Sequence, residues 1–174
     1  MAELRSIWQM SVAGLWDIFQ SVFGANDEKR RIYRNMVECK PGERILDFGC
    51  ATGITAAAFA DCNYLGVDIN AGSILWAQHK YRKSSHIKFR CCDVSNINEQ
   101  RFDHILCACT GHHLTDVEVV EIHKIMQSLL ADRGAIHFID MVKTEQDSLL
   151  MRALMAIDQG RHIRTVIQYK TLFG

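Results

Sequence analysis

Apolar positions in the first forty residues recur at helical spacing. Leu4, Ile7, Trp8, Leu15, Trp16, Phe19, Val22 and Phe23 share one face of a helix over residues 4–23. Gly24 stops that pattern and Asn26-Asp27 offers a new N-cap, so a second helix is expected over 27–38. The polar face of the first helix carries few basic residues. It is therefore expected to pack on its own domain or on a partner, not on a membrane.

The period changes after the single proline, in the turn Lys40-Pro41-Gly42-Glu43. Short apolar or alternating runs predict strands over 44–48, 64–68, 86–91, 102–109 and 134–141. Between them, helices are expected over 52–60, 71–81 and 117–130. The fourth strand is nearly all apolar after Asp103 and His104, as in a strand buried on both faces. Strands alternating with helices imply an α/β fold with a doubly wound, mainly parallel sheet and right-handed crossovers. Residues 145–157 read as helix, while 163–173 fit helix or strand. With so few residues after Met141, the sheet is expected to have five to six strands and a shortened C-terminus. Its fifth strand would then be an edge to be covered by the tail or by a second copy, a possible homodimer.

Composition narrows the partners. The chain is 174 residues long and 48% hydrophobic, enough for one packed domain. Lys+Arg and Asp+Glu both total 20, so the basic excess of a nucleic-acid binder is missing. Lys80, Arg82 and Lys83 read as a solvated helix end. Glu3, Arg5 and Asp17 interrupt any secretory signal, and a cytoplasmic location is expected. The seven cysteines are accordingly expected to be reduced and mostly buried. Cys91-Cys92 and Cys107-x-Cys109 lack paired C-x-x-C spacing, so no metal is expected.

The chemistry concentrates where the first strand ends, at Asp47-Phe48-Gly49-Cys50-Ala51-Thr52-Gly53. In a doubly wound sheet, ligands bind beyond the carboxyl ends of the strands. A dinucleotide-binding loop needs G-x-G-x-x-G, which Ala51 breaks. A carboxylate at 47 would also repel a pyrophosphate, whereas it would favour a cationic, amine-bearing ligand.

The stretch Ile45 to Gly53 resembles the first motif of the class I S-adenosylmethionine-dependent methyltransferases, and the resemblance extends over about residues 30–142. It implies a Rossmann-like fold with S-adenosylmethionine as cofactor and S-adenosylhomocysteine as product. By resemblance, Asp47 receives the cofactor amine, and Gly49, Cys50, Ala51, Thr52 and Gly53 form the loop under its methionine part. Asp68, ending the second strand, matches the acid that holds both ribose hydroxyls. Asp93 in Cys92-Asp93-Val94 matches the residue beside the adenine amino group, with Ile69 and Val94 sandwiching the ring. Ala108 and Cys109 end the fourth strand, facing the cofactor. The alanine at 51 is expected to fit if its φ is negative. Gly111-His112-His113-Leu114 is similar to the family's histidine-bearing loop, and His112 and His113 are candidate general bases. His79, His86, His104, His123, His137 and His162 show no partner pattern. Ala131 to Gly134 is expected to replace the family's Pro-Gly-Gly turn.

The motifs of adenine-N6 and cytosine-C5 methylation are absent, and a small-molecule acceptor is favoured by elimination. The whole chain reads as one domain: a helical lid over 1–40, a cofactor-binding core over 41–142, and a C-terminal helix and tail over 143–174. The alternative is a non-catalytic cofactor-binding or partner protein with a truncated fold.

Overall fold

The structure is a computed structural model that describes residues 25–97, 101–149, 152, 155 and 160–174. The helix expected over 4–23 lies outside the described residues. A five-stranded, all-parallel sheet has the order β3-β2-β1-β4-β5. Its strands are β1 (Arg44–Phe48), β2 (Asn63–Asp68), β3 (Ile87–Cys91), β4 (Phe102–Ala108) and β5 (Leu130–Ile139). The described helices are α1 (Ala25–Met36), α2 (Ala71–Lys80), α3 (Asp116–Leu129) and α4 (Val166–Phe173). Strand order reverses beside β1, which puts the topological switch point between the β1 and β4 tips.

Successive strand residues point to opposite faces, and this divides the core in two. Ile45 packs with Phe59, Tyr64, Ile74, Phe89 and Leu106 on one face. Its neighbour Leu46 packs with Val67, Val94, Ile105, Met126 and Leu129 on the other. The helix starts are capped as their sequences require. Asn70 accepts from the Ser73 amide, and Thr115 and Glu118 form a capping box on α3.

Four expectations change. The segment 52–60 is a run of turns followed by a 3₁₀ helix at Thr55–Phe59. The left-handed φ values of Ala51 (45°) and Gly53 (69°) prevent an α-helix from starting at 52. Residues 131–134 are not a turn; they lie inside β5, where a register irregularity opposite Phe102 and His104 absorbs them. Gly134 is needed there, because a Cβ would come within 2.8 Å of the Phe102 carbonyl oxygen. Not all cysteines are reduced: Cys39 and Cys62 form a disulfide. The tail resolves as α4, because Thr165 and Gln168 make a second capping box. Of the helix expected over 145–157, residues 149, 152 and 155 are helical and most others lie outside the described residues.

α1 is lashed to the turn region before β2. Arg30 Nε donates to the Ile54 carbonyl (3.2 Å), and Arg34 donates to the Ala58 carbonyl (2.8 Å). Arg34 also makes a two-pronged pair with Asp61 at 2.9 Å. α4 packs its Phe173 and Tyr169 rings against Phe138 of β5. β5 has no pairing partner on its outer side among the described residues. Among the described residues, no helix is long and apolar enough to cross a membrane.

Candidate active site at the strand tips

A cavity of about 640 Å³ opens beyond the strand tips. Gly49, Ala51, Asp68, Ile69, Asp93, Cys109 and His113 line it. Gly49 has φ +72°, and a Cβ there would overlap the Thr110 hydroxyl. A side chain at 49 would thus be strained twice, by conformation and by contact. Ala51 adopts the left-handed region, with φ 45°, so the negative φ on which its easy fit depended is not met. The Asp68 carboxylate holds it there, accepting the Ala51 amide on Oδ2 at 2.9 Å. Asp68 Oδ1 accepts from the Asn70 amide at 2.8 Å. Each carboxylate oxygen has lone-pair capacity for a second donor.

Asp93 accepts from both the amide (2.8 Å) and the hydroxyl (2.7 Å) of Ser95, and both bonds fall on Oδ1. The Ser95 hydroxyl and then its amide hold this carboxyl below its ordinary range. Ile69 is 77% exposed and offers the cavity an apolar edge. Val94 is fully buried in the core beneath, so it does not form the opposite wall. Cys50, Thr52 and Gly53 are also buried, behind the cavity wall. Ala108 sits against the core, and its carbonyl accepts the Thr110 hydroxyl at 3.1 Å.

Asp47 is placed differently from its expected role. It is 2% exposed, and its Oδ2 accepts the Thr55 hydroxyl at 2.5 Å and the Tyr64 hydroxyl. Burial pushes its pKa up to about 6 against the pull of those two hydroxyls. Asp47 therefore braces the loop from below, tying β1 to the 3₁₀ helix and β2. The buried thiols of Cys50 and Cys107 are pushed up by the same desolvation, which keeps them neutral and unreactive.

The two adjacent histidines part company. His113 lines the cavity, while His112 is 2% exposed. The Nδ1 of His112 lies 2.5 Å from Asp140 Oδ1, just beyond β5. Asp140 Oδ2 accepts the Tyr169 hydroxyl at 2.6 Å. Burial raises the Asp140 pKa, but the bonds from His112 and Tyr169 outweigh it and the net shift is downward. Arg164, 4% exposed, clasps the same loop. It donates to the carbonyls of Gly111 (3.0 Å) and Leu114 (2.7 Å) and to Asp116 (2.8 Å). From α1, the Tyr33 hydroxyl reaches Cys109 Sγ at 3.8 Å.

Sequence reasoning missed Asp140, Tyr169 and Arg164 as site residues. Asp140 carried a usable signal, since it ends a strand as Asp47 and Asp68 do. Arg164 and Tyr169 carried none, because their targets lie far away along the chain.

Comparison with known proteins agrees with this geometry. Residues 45–134 match the family model described as a methyltransferase domain. An uncharacterized methyltransferase of Schizosaccharomyces pombe is 28% identical over 117 residues, 60% of this chain and 40% of that protein. A ubiquinone biosynthesis O-methyltransferase of Bradyrhizobium sp. is 32% identical over 94 residues, 51% of this chain and 37% of that protein. This chain thus spans about two fifths of the length of these curated relatives. Among solved structures, phosphoethanolamine N-methyltransferase 1 of Haemonchus contortus superposes with a TM-score of 0.74 at 18% identity. That match covers 98% of this chain and 40% of that one. The YcgJ protein of Bacillus subtilis gives 0.71 at 20% identity, covering 84% and 66%. The chain belongs to the class I S-adenosylmethionine-dependent methyltransferase family.

Proposed function

We propose that this chain transfers a methyl group from S-adenosylmethionine to a small-molecule acceptor that loses a proton as it attacks. The observation that carries this reading is the pairing of two carboxylates, Asp68 and Asp93, with a histidine in one strand-tip cavity. Carboxylates there favour a cationic nucleoside over a diphosphate.

When bound, the cofactor supplies an electrophilic methyl group on a sulfonium, and loss of that methyl leaves S-adenosylhomocysteine. Asp68 would accept from the ribose hydroxyls and Asp93 Oδ2 from the adenine amino group. Ile69 would cover one side of the ring by apolar contact. Gly49 would let the backbone come close to the methionine part, while Asp47 acts at one remove by bracing the loop through Thr55.

On the acceptor side, the bond from His112 Nδ1 to Asp140 anchors the loop that carries both histidines. His113, which lines the cavity, is the proposed general base, and the buried His112–Asp140 pair positions its loop. A base matters for a hydroxyl acceptor, and the likeness to O-methyltransferases supports that class. The zero net charge supports a small molecule over a nucleic acid.

The test is transfer of labelled methyl from the cofactor to a panel of phenols, catechols and alkylamines. Turnover is expected with the hydroxyl acceptors. His113→Asn should lower it by about 10²-fold or more while S-adenosylhomocysteine affinity stays within a factor of two or so. Unchanged turnover in that variant would remove the base. Cofactor binding without turnover on the whole panel would favour the non-catalytic reading.

A further inference from the structure

The opposite end of the sheet holds a cluster that methyl transfer does not use. Cys39 follows α1, Glu43 precedes β1, Cys62 precedes β2, and His104 lies in β4 with His137 beside it on β5. The Cys39 sulfur, a Glu43 carboxylate oxygen and a His104 ring nitrogen all lie within 4.8 Å of one another. Cys62, 1% exposed, is bonded to Cys39, so a second sulfur lies beside this group of three.

We propose that, once the Cys39–Cys62 disulfide is reduced, both thiolates join the Glu43 carboxylate and His104 Nε2 in a four-ligand site for a divalent cation of the zinc class. The disulfide is the metal-free state of the same side chains. Reduction by a dithiol breaks the S–S bond, forms two thiols and leaves the reductant as its own disulfide. Both thiol protons then go to solvent as the cation binds.

Three observations support the geometry. Glu43 Oε2 and His104 Nε2 are 3.1 Å apart. Two ligands about 2.0–2.1 Å from a tetrahedral ion stand roughly 3.3 Å apart, so the ion would replace the shared proton with little movement. His104 Nδ1 lies 3.1 Å from His137 Nε2. That neighbour can take the Nδ1 proton, which fixes the tautomer with Nε2 facing the ion, the usual support for a ligating imidazole. The Lys40 amide donates to Glu43 Oε2 at 2.8 Å and fixes the carboxylate. Two thiolates, an imidazole and a carboxylate form a borderline-soft donor set that suits zinc and disfavours magnesium or calcium. All four positions are filled by protein, which makes the site structural. No local motif announced it, because the ligands at 39, 43, 62 and 104 meet only in the fold.

The test uses the whole chain, once as the disulfide and once reduced by a phosphine without oxygen, with Co²⁺ as the probe. The reduced chain should take up one equivalent with a thiolate-to-cobalt charge-transfer band that Zn²⁺ abolishes. The disulfide form should show no band. His104→Gln and Cys62→Ser should each weaken uptake at least tenfold. Circular dichroism confirms that each variant is folded, and His104→Gln together with the oxidised chain decides the matter if Cys62→Ser is not. A reduced chain without the band overturns the proposal, and so does a band that His104→Gln leaves unchanged.

Discussion

On the β1–β2 side of the cavity, the wall is local: Asp68 holds Ala51 across 17 residues of chain. On the β4–β5 side, His112 leans on Asp140, 28 residues away, and Arg164 clasps Gly111 across 53. The first wall is a strained loop pinned by one carboxylate. The second is a loop held by side chains from two later segments. A cavity wall can thus be encoded within a short motif, while the loop that carries the proposed base depends on the end of the chain for its orientation.

The largest expected effect tests that dependence. Arg164→Ala should cost about 3–5 kcal/mol in urea unfolding, because it leaves the carbonyls of Gly111, Leu114 and His162 without the donors that a buried guanidinium supplied. A loss under about 1 kcal/mol would mean the histidine loop stands without its clasp. Next comes the brace under the other wall. The folded-state pKa of Asp47 is raised, to about 6, so the folded chain binds the extra proton. Its contribution to stability is fully present below the ordinary carboxyl value and is lost as pH rises through about 6. At ~1.36 kcal/mol per pH unit this amounts to about 3 kcal/mol, and Asp47→Asn should remove that slope from the pH profile of thermal unfolding. Parallel profiles for the two proteins would place Asp47 in a more polar setting.

Asp68→Ala should weaken S-adenosylhomocysteine binding by about 1–3 kcal/mol by calorimetry, through lost charge-assisted hydrogen bonds. Unchanged affinity would remove Asp68 from the binding wall. The smallest effect sharpens the account of strain. Ala51→Gly should raise stability by up to about 1 kcal/mol, since glycine enters the left-handed region without a Cβ penalty. Destabilisation would show that the alanine methyl makes contacts worth more than its strain.

The sequence was most informative where the chain is local. Its hydrophobic periods located all five strands, and the acids at 68 and 93, singled out in the sequence, line the strand-tip cavity. Asp47 looked the same in sequence, yet Thr55 and Tyr64 hydroxyls draw it inward, and that depends on how β2 lies against β1. The 52–60 segment reads as helix because alanines favour helix, but the pinned geometry at Ala51 and Gly53 overrides that propensity. Val94 looked like a ring contact and became core for a similar reason: it opens the 3₁₀ helix Val94–Asn96, and only the assembled sheet decides which side of that turn faces inward. Arg164 was invisible, because a buried cation is defined by oxygens that the fold collects.

The anchoring of α1 is lopsided, and this bears on how an acceptor would get in. Arg30 and Arg34 tie it to the segment before β2, whereas its Tyr33 hydroxyl meets Cys109, just past β4, through a long sulfur–hydroxyl contact, one of the weakest bonds a protein makes. The helix therefore behaves as a doorpost and not as a door. A molecule arriving from the β4 side would have to part Tyr33 from Cys109 while the post stayed upright.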